Sequence, residues 1–156
     1  MRTYADSSYI LRLVTIEEES QAAMAEYRHL GYPSLFFLPL HELEIRNAIL
    51  QRAFHQRRSL PAGGRQHVAR ERDAALGRLE HFKSRRALLE VALDLDAAMG
   101  LATKLASAHT ERLGARAIDL LHVACALTLA CERFLTTDAR QAQLAKAEGL
   151  KVVSAC

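Results

Sequence analysis

Four acidic residues stand at or near the starts of helices, three of them soon after a strand. Asp6 follows a short β-prone run at residues 2–5, Glu44 lies early in the helical stretch behind SLFF, Asp119 opens AIDLLHVACA, and Asp138 follows RFLTT. Carboxylates brought together without compensation repel one another, so convergence of these four would call for divalent cations, and oxygen ligands favour Mg²⁺ or Mn²⁺ over zinc. Such ions activate water and stabilise the attacking and leaving oxygens of a phosphodiester in an in-line displacement. Asp119 argues most strongly for a partner, because it interrupts an almost wholly apolar segment and a buried unpaired charge is costly. Helix chemistry offers a second explanation for three of them. Asp6 can cap a helix beginning near Ser7, and Asp138 with Gln141 three residues on has the spacing of a reciprocal N-terminal cap. Asp119 in a first helical turn is worth about 0.3–1 kcal/mol against the helix dipole.

Other constellations are weaker. His122 is one helical turn from Asp119 and could orient that acid or a water, or be a packed, hydrogen-bonded histidine. HELEIR at residues 41–46 begins like the zinc-protease HExxH motif but has Ile45 where the second histidine must stand, which excludes it. Neither a phosphate-cradling glycine loop nor a GxSxG motif occurs. Asp94 and Asp96 precede a helical run and read as caps, with a minor share in a metal site as the other reading.

The elements that must position the acids follow from periodicity. SLFF (34–37), ALLEV (87–91), RFLT (133–136) and KVV (151–153) are short, apolar and bounded by turn or helix signals. EEESQAAMAEYRHL, DAAMGLATKLASAHTERL, AIDLLHVACALTLA and ARQAQLAKAE read as helices, and Gly31, Gly114 and Gly149 stand where three of them should stop. Alternating strands and helices with short links predict a parallel sheet flanked by helices, with ligand sites at the carboxyl ends of the strands. That rule places Asp6 and Asp138 on one edge. SLPAGGR (59–65) is a turn between two further helical stretches, which together predict a hairpin over about residues 40–84.

The 156 residues, half of them apolar, suit a single domain spanning 1–156. No apolar run approaches the roughly 20 residues of a membrane span, and Arg2, Tyr4 and Asp6 break any signal-peptide pattern. The expectation is a cytoplasmic protein without membrane association. Cys125, Cys131 and Cys156 have no CxxC spacing and read as reduced, small hydrophobes. The net charge of +3 is uneven: residues 52–86 hold ten Lys/Arg against three Asp/Glu, and the remainder holds eleven against fifteen. A basic arm on an acidic body is either a solvated helix face or a surface for a phosphate backbone.

Taken in order, YADSSYILRL, HELEIRNAIL, ARAIDLLHVACAL and FLTTDARQAQLAKAEGLKV resemble the four blocks of PIN-domain proteins, in particular the VapC-type toxins of bacterial toxin–antitoxin pairs. The resemblance spans nearly the whole chain; the arm and residues 84–112 are its least specific parts. It implies a three-layer α/β/α sandwich around a central parallel sheet, with the first strand in the middle and a protruding helical hairpin. It also implies an endoribonuclease site with Mg²⁺ or Mn²⁺, in which Asp6, Asp119 and Asp138 match the first, third and fourth acids. Glu44-Ile45-Arg46-Asn47 fits the second block better than Glu42 does, although Glu42 is only two residues away. Thr136 or Thr137 would support the fourth acid, and Ser7 could do the same beside Asp6, or cap a helix. The arm would form a homodimer and receive an antitoxin protein, while Arg52, Arg57, Arg58, Arg65 and Arg70 guide RNA. The RNA target stays open, because unpaired RNA is selected by loop shape and stacking surfaces. Two rival readings remain: a non-catalytic module binding RNA or protein through the same acids, and a receiver domain. The latter lacks the acidic pair after the first strand and a clear lysine after a late one.

Overall fold

The computed structural model describes residues 1–154, so the reading of Cys156 lies outside the described residues. In chain order these form β1 (Thr3–Ala5), α1 (Ser7–Val14), α2 (Glu18–His29), β2 (Leu35–Phe37), α3 (Pro39–Ser59), α4 (Arg65–Ser84), β3 (Leu88–Glu90), α5 (Leu95–Leu113), α6 (Ala117–Thr128), β4 (Arg133–Thr136), α7 (Ala139–Ala147) and β5 (Lys151–Ser154). A 3₁₀ turn at Ala62–Gly64 joins α3 to α4.

All five strands run parallel in the order β3-β2-β1-β4-β5. Side chains alternate across the central strands, as a two-residue period requires. Tyr4, Phe134 and Phe36 pack with α5, α6 and α7 on one face. Ala5, Leu35, Phe37, Leu88 and Leu135 pack with α1 to α4 on the other. Tyr4 stacks on Phe134, its register partner in β4, at 5.6 Å between ring centres. The fold is a three-layer α/β/α sandwich from which the α3–α4 hairpin extends. Because both faces are covered, the strands read as continuous apolar runs rather than alternating ones.

From β1 the chain builds outward through β2 to β3, then returns to place β4 on the other side of β1. That reversal makes the carboxyl ends of β1 and β4 the topological switch point, the place where parallel sheets take ligands. Asp6 continues the ladder past β1, donating its N–H to the Leu135 carbonyl at 3.0 Å. Asp138 follows β4 by one turn.

Left-handed backbone ends α5 at Gly114 (φ +63°) and follows α7 at Gly149 (φ +83°), so these glycines act as the sequence predicts. After α6 the same role falls to Ala130 at φ +51°, with Cys131 N–H returning to the Ala126 carbonyl. A left-handed alanine costs about 1–2 kcal/mol, against roughly 0.5–1 kcal/mol for the extra chain entropy of glycine. Ala130→Gly should therefore stabilise the protein, by up to about 1 kcal/mol in urea unfolding; a loss of stability would show that the alanine methyl contributes packing worth more than this strain. Among the described residues no helix is long and apolar enough to cross a membrane.

Candidate active site

Asp6 is nearly fully buried and is the N-cap of α1. Its Oδ1 accepts the Tyr9 N–H at 2.7 Å and the Ser8 hydroxyl at 2.8 Å, and its Oδ2 accepts the Thr136 hydroxyl at 2.5 Å. Burial pushes its carboxyl above the ordinary aspartate range, and the bonds from Thr136, Tyr9 and Ser8 offset only part of that rise. Thr136 also accepts the Asp138 N–H at 2.9 Å, so one hydroxyl at the end of β4 joins the two acids.

Asp138 is the N-cap of α7, taking the Arg140 and Gln141 N–H groups on Oδ1 at 2.8 and 3.1 Å. The reciprocal half expected of Gln141 does not form. Its amide instead bridges Thr136 Oγ1 at 3.1 Å and the Asp119 carbonyl at 3.3 Å, because the Asp138 N–H is already taken by Thr136. Asp119 is buried in the first turn of α6 and accepts the Arg116 backbone N–H at 3.1 Å. The Arg116 guanidinium lies between two acids, 3.2 Å from Asp119 Oδ2 and 3.7 Å from Asp138 Oδ2.

Glu44 projects from the second turn of α3 onto α1 and α6. Its Oε2 accepts the Ser7 hydroxyl at 2.7 Å and lies 2.7 Å from His122 Nε2. Burial alone would raise this carboxyl, but the bonds from His122 and Ser7 hold it below the ordinary glutamate range. Two sequence readings change here. The capping role belongs to Asp6, leaving Ser7 at the first helical position free to hold Glu44. His122 is packed and hydrogen-bonded as its apolar context suggests, yet it orients Glu44 rather than Asp119. Tyr4, its phenol pushed well above the ordinary range by burial, keeps its proton and donates it to His122 Nδ1 at 2.9 Å; the Nε2–H then faces Glu44. Ser7, His122 and Glu44 do not make a nucleophilic triad. Ser7 and Glu44 share one ring nitrogen, 3.4 and 2.7 Å away, where a triad needs them on opposite ones.

Glu42 faces away from this group. It pairs with Arg46 and, at 3.1 Å, with Lys83, and these cations, working against the burial that would raise it, hold its carboxyl low. Thr137 meets Ser8 at 3.0 Å beside Asp6. Asp94 is the N-cap of α5, as its position ahead of the helix predicts. Of the arginines, Arg52 pairs with Glu17 at the base of the arm, whereas Arg57, Arg58, Arg65 and Arg70 are exposed farther out.

The residues missed in the sequence are those that join the acids. Arg116 is visible as a cation three residues before Asp119, an ordinary helical pair spacing. Tyr4 and Ser8 carry no such signal, and the spacing of Gln141 from Asp138 points to a different partner from the ones it takes. Their roles arise only when β1, α1 and α7 meet.

The chemistry of this donor set suits a hard divalent cation: three aspartates and a glutamate offer only oxygens, and Asp119 and Asp138 already share one positive group. As the side chains stand, no group of three or more His, Cys, Asp or Glu could hold a metal ion among the described residues. A cavity of about 890 Å³ lies elsewhere, beside Glu42 and over the ends of β2 and β3. No family model matches the chain, and no curated protein is significantly similar to it.

Proposed function

We propose that this protein is a metal-dependent endoribonuclease of the PIN type, acting in the cytoplasm as the toxin of a toxin–antitoxin pair. The observation that carries the reading is the acid network at the switch point of the sheet. Thr136 ties Asp6 to Asp138, Arg116 ties Asp138 to Asp119, and Ser7, next to Asp6, holds Glu44. Asp6, Glu44, Asp119 and Asp138 would hold Mg²⁺ or Mn²⁺. Bound there, the ion would supply an activated water and charge neutralisation for hydrolysis of an RNA phosphodiester.

The chain's own contribution is positioning. Thr136 fixes Asp6, and the Tyr4–His122 pair fixes the direction of the proton that meets Glu44. Arg116, about two-thirds exposed, neutralises Asp119 and Asp138 and can swing outward when a cation takes its place. Cations at positions along the arm suit an RNA backbone. The groove among α1, α3 and α4, floored by Leu11, Ile49 and Ala75, suits an antitoxin segment, and exposed Leu43, Leu50, Leu95 and Met99 suit a second copy of the chain.

One observation favours the non-catalytic binding module: Arg116 already occupies the place between two of the acids. Cleavage of a total-RNA pool separates the readings. Wild type with Mn²⁺ should give discrete new ends, and neither EDTA-treated protein nor Asp119→Asn should give any. Identical RNA profiles from all three folded, antitoxin-free proteins would leave the binding module as the better reading.

A further inference from the structure

Resting on the RNA reading above, we infer that the tip of the α3–α4 arm is a separate docking site for an unpaired nucleotide, which stacks its base on Phe54 and sets its flanking phosphates among Arg57, Arg58 and Arg65. These four residues and Leu60 line an open cavity of about 620 Å³. The 3₁₀ turn at Ala62–Gly64 folds the chain back so that Arg65, opening α4, faces the last turns of α3.

The arm sorts its cations by position. Within α3 and α4, four cations toward the body are bonded: Arg52 to Glu17, Arg72 to Asp73, Lys83 to Glu42, and Arg78 to the Val14 carbonyl. At the tip, Arg57, Arg58 and Arg65 form no ion pair among the described residues. Asp73 feels Arg57, but its carboxyl is bonded to Arg72.

Helix stability explains only part of the cluster. Arg57 and Arg58 sit at the negative end of α3, where cations are favoured, but Arg65 is the first residue of α4, where they are disfavoured. Three cations around one open cavity set up a positive potential that attracts an anion.

Phe54 selects the kind of anion. It is 54% exposed, and the Arg58 guanidinium lies over one face of its ring, 5.5 Å from the centre, so a base stacked on the other face would complete a cation–ring–base sandwich. A base can use that face only when it is unpaired. An acidic protein segment would satisfy the arginines but leave the ring without a flat partner.

The test is fluorescence anisotropy of the full-length protein with a labelled oligouridylate, in EDTA to prevent cleavage, over a range of salt. Phe54→Ala should weaken binding by roughly 5- to 100-fold without changing the salt slope, and Phe54→Tyr should restore it. Arg57→Gln with Arg65→Gln should flatten the slope by about 0.7 for each phosphate deprived of its arginine. Because all three positions are exposed, unchanged melting temperatures will confirm that the variants are folded. Wild-type affinity in both sets of variants overturns the site, as does an equal loss on duplex RNA with Phe54→Ala. Binding that depends on Phe54, without metal-dependent cleavage of any RNA, upholds the tip and removes the nuclease. Cleavage that needs metal, with binding indifferent to Phe54, does the reverse.

Discussion

Asp6→Asn is expected to abolish RNA cleavage and, in metal-free buffer, to raise the melting temperature. The carboxyl lies at the end of a strand buried on both faces, and burial lifts its pKa above the ordinary aspartate range. An acid shifted upward costs the folded state nothing at low pH, where it is protonated both folded and unfolded. The cost grows as pH rises through the folded value and persists at neutrality. Asparagine removes that cost while keeping the cap, since Asn and Asp are equally good at this position. Its amide can donate to Thr136 Oγ1, whose own proton then goes to Gln141. Activity should fall further than the roughly 10- to 100-fold typical of an outer-shell partner, because a proposed ligand itself is lost. Added Mn²⁺ should stabilise wild type by mass action, by about 2.7 kcal/mol at a hundred times its Kd, and so raise its melting temperature more than the variant's. Differential scanning calorimetry in EDTA and in Mn²⁺ measures both parts. A less stable variant in EDTA would mean that the charge of Asp6 is well compensated in the fold, and retained cleavage would remove Asp6 from the site.

Stability sacrificed at one carboxylate explains why some of the site is legible from sequence and some is not. The acids are legible because each sits at a boundary that periodicity locates: Asp6 ends β1, Asp138 begins α7, and Asp119 interrupts an apolar run. The same positions make all three helix-start residues, so capping and site geometry are one arrangement rather than competing explanations. The strands were visible for a related reason, since two covered faces make Leu35–Phe37 and the pair Phe134 and Leu135 apolar without alternation.

Partner choice was not legible. Nothing in HELEIR distinguishes Glu42 from Glu44 by residue type; the helix turn does so, sending Glu42 toward Lys83 on α4 and Glu44 toward Ser7 and His122. Gln141 looks like half of a capping box until Thr136 takes the backbone N–H it would have used. The positive charge of the arm was countable, but its division between bonded cations at the base and open ones at the tip depends on which acids the hairpin meets. His41 is the clearest case. As the first letter of a failed zinc motif it has no purpose, yet it is fully buried between β1 and α3.

That burial makes His41 an acid-sensitive joint, and stability should fall as pH drops below the ordinary histidine range. Its Nδ1 accepts the Leu38 N–H at 2.9 Å and its Nε2–H donates to the Ala5 carbonyl at 3.0 Å, so both ring nitrogens are committed in the neutral form. A second ring proton would point at the Leu38 N–H. Burial, reinforced by His122 at 5.2 Å between ring centres, lowers its pKa to about 3. A histidine shifted downward contributes stability that is complete above the unfolded value near 6.5. That contribution is lost as pH falls toward the folded value, at about 1.4 kcal/mol per pH unit. Between pH 7 and pH 5 this amounts to about 2 kcal/mol. Glu42 and Glu44, whose carboxyls are held low, push the same way only at more acidic pH, while Asp6 opposes them. His41→Asn isolates the histidine, because its side-chain oxygen can still accept from Leu38 but cannot titrate. Urea unfolding at pH 7 and pH 5 should show a smaller loss in the variant, even though the variant starts less stable. Equal losses would assign the acid response to other groups. A smaller loss in the variant would show that the bond holding Ala5 to the start of α3 depends on one histidine staying neutral.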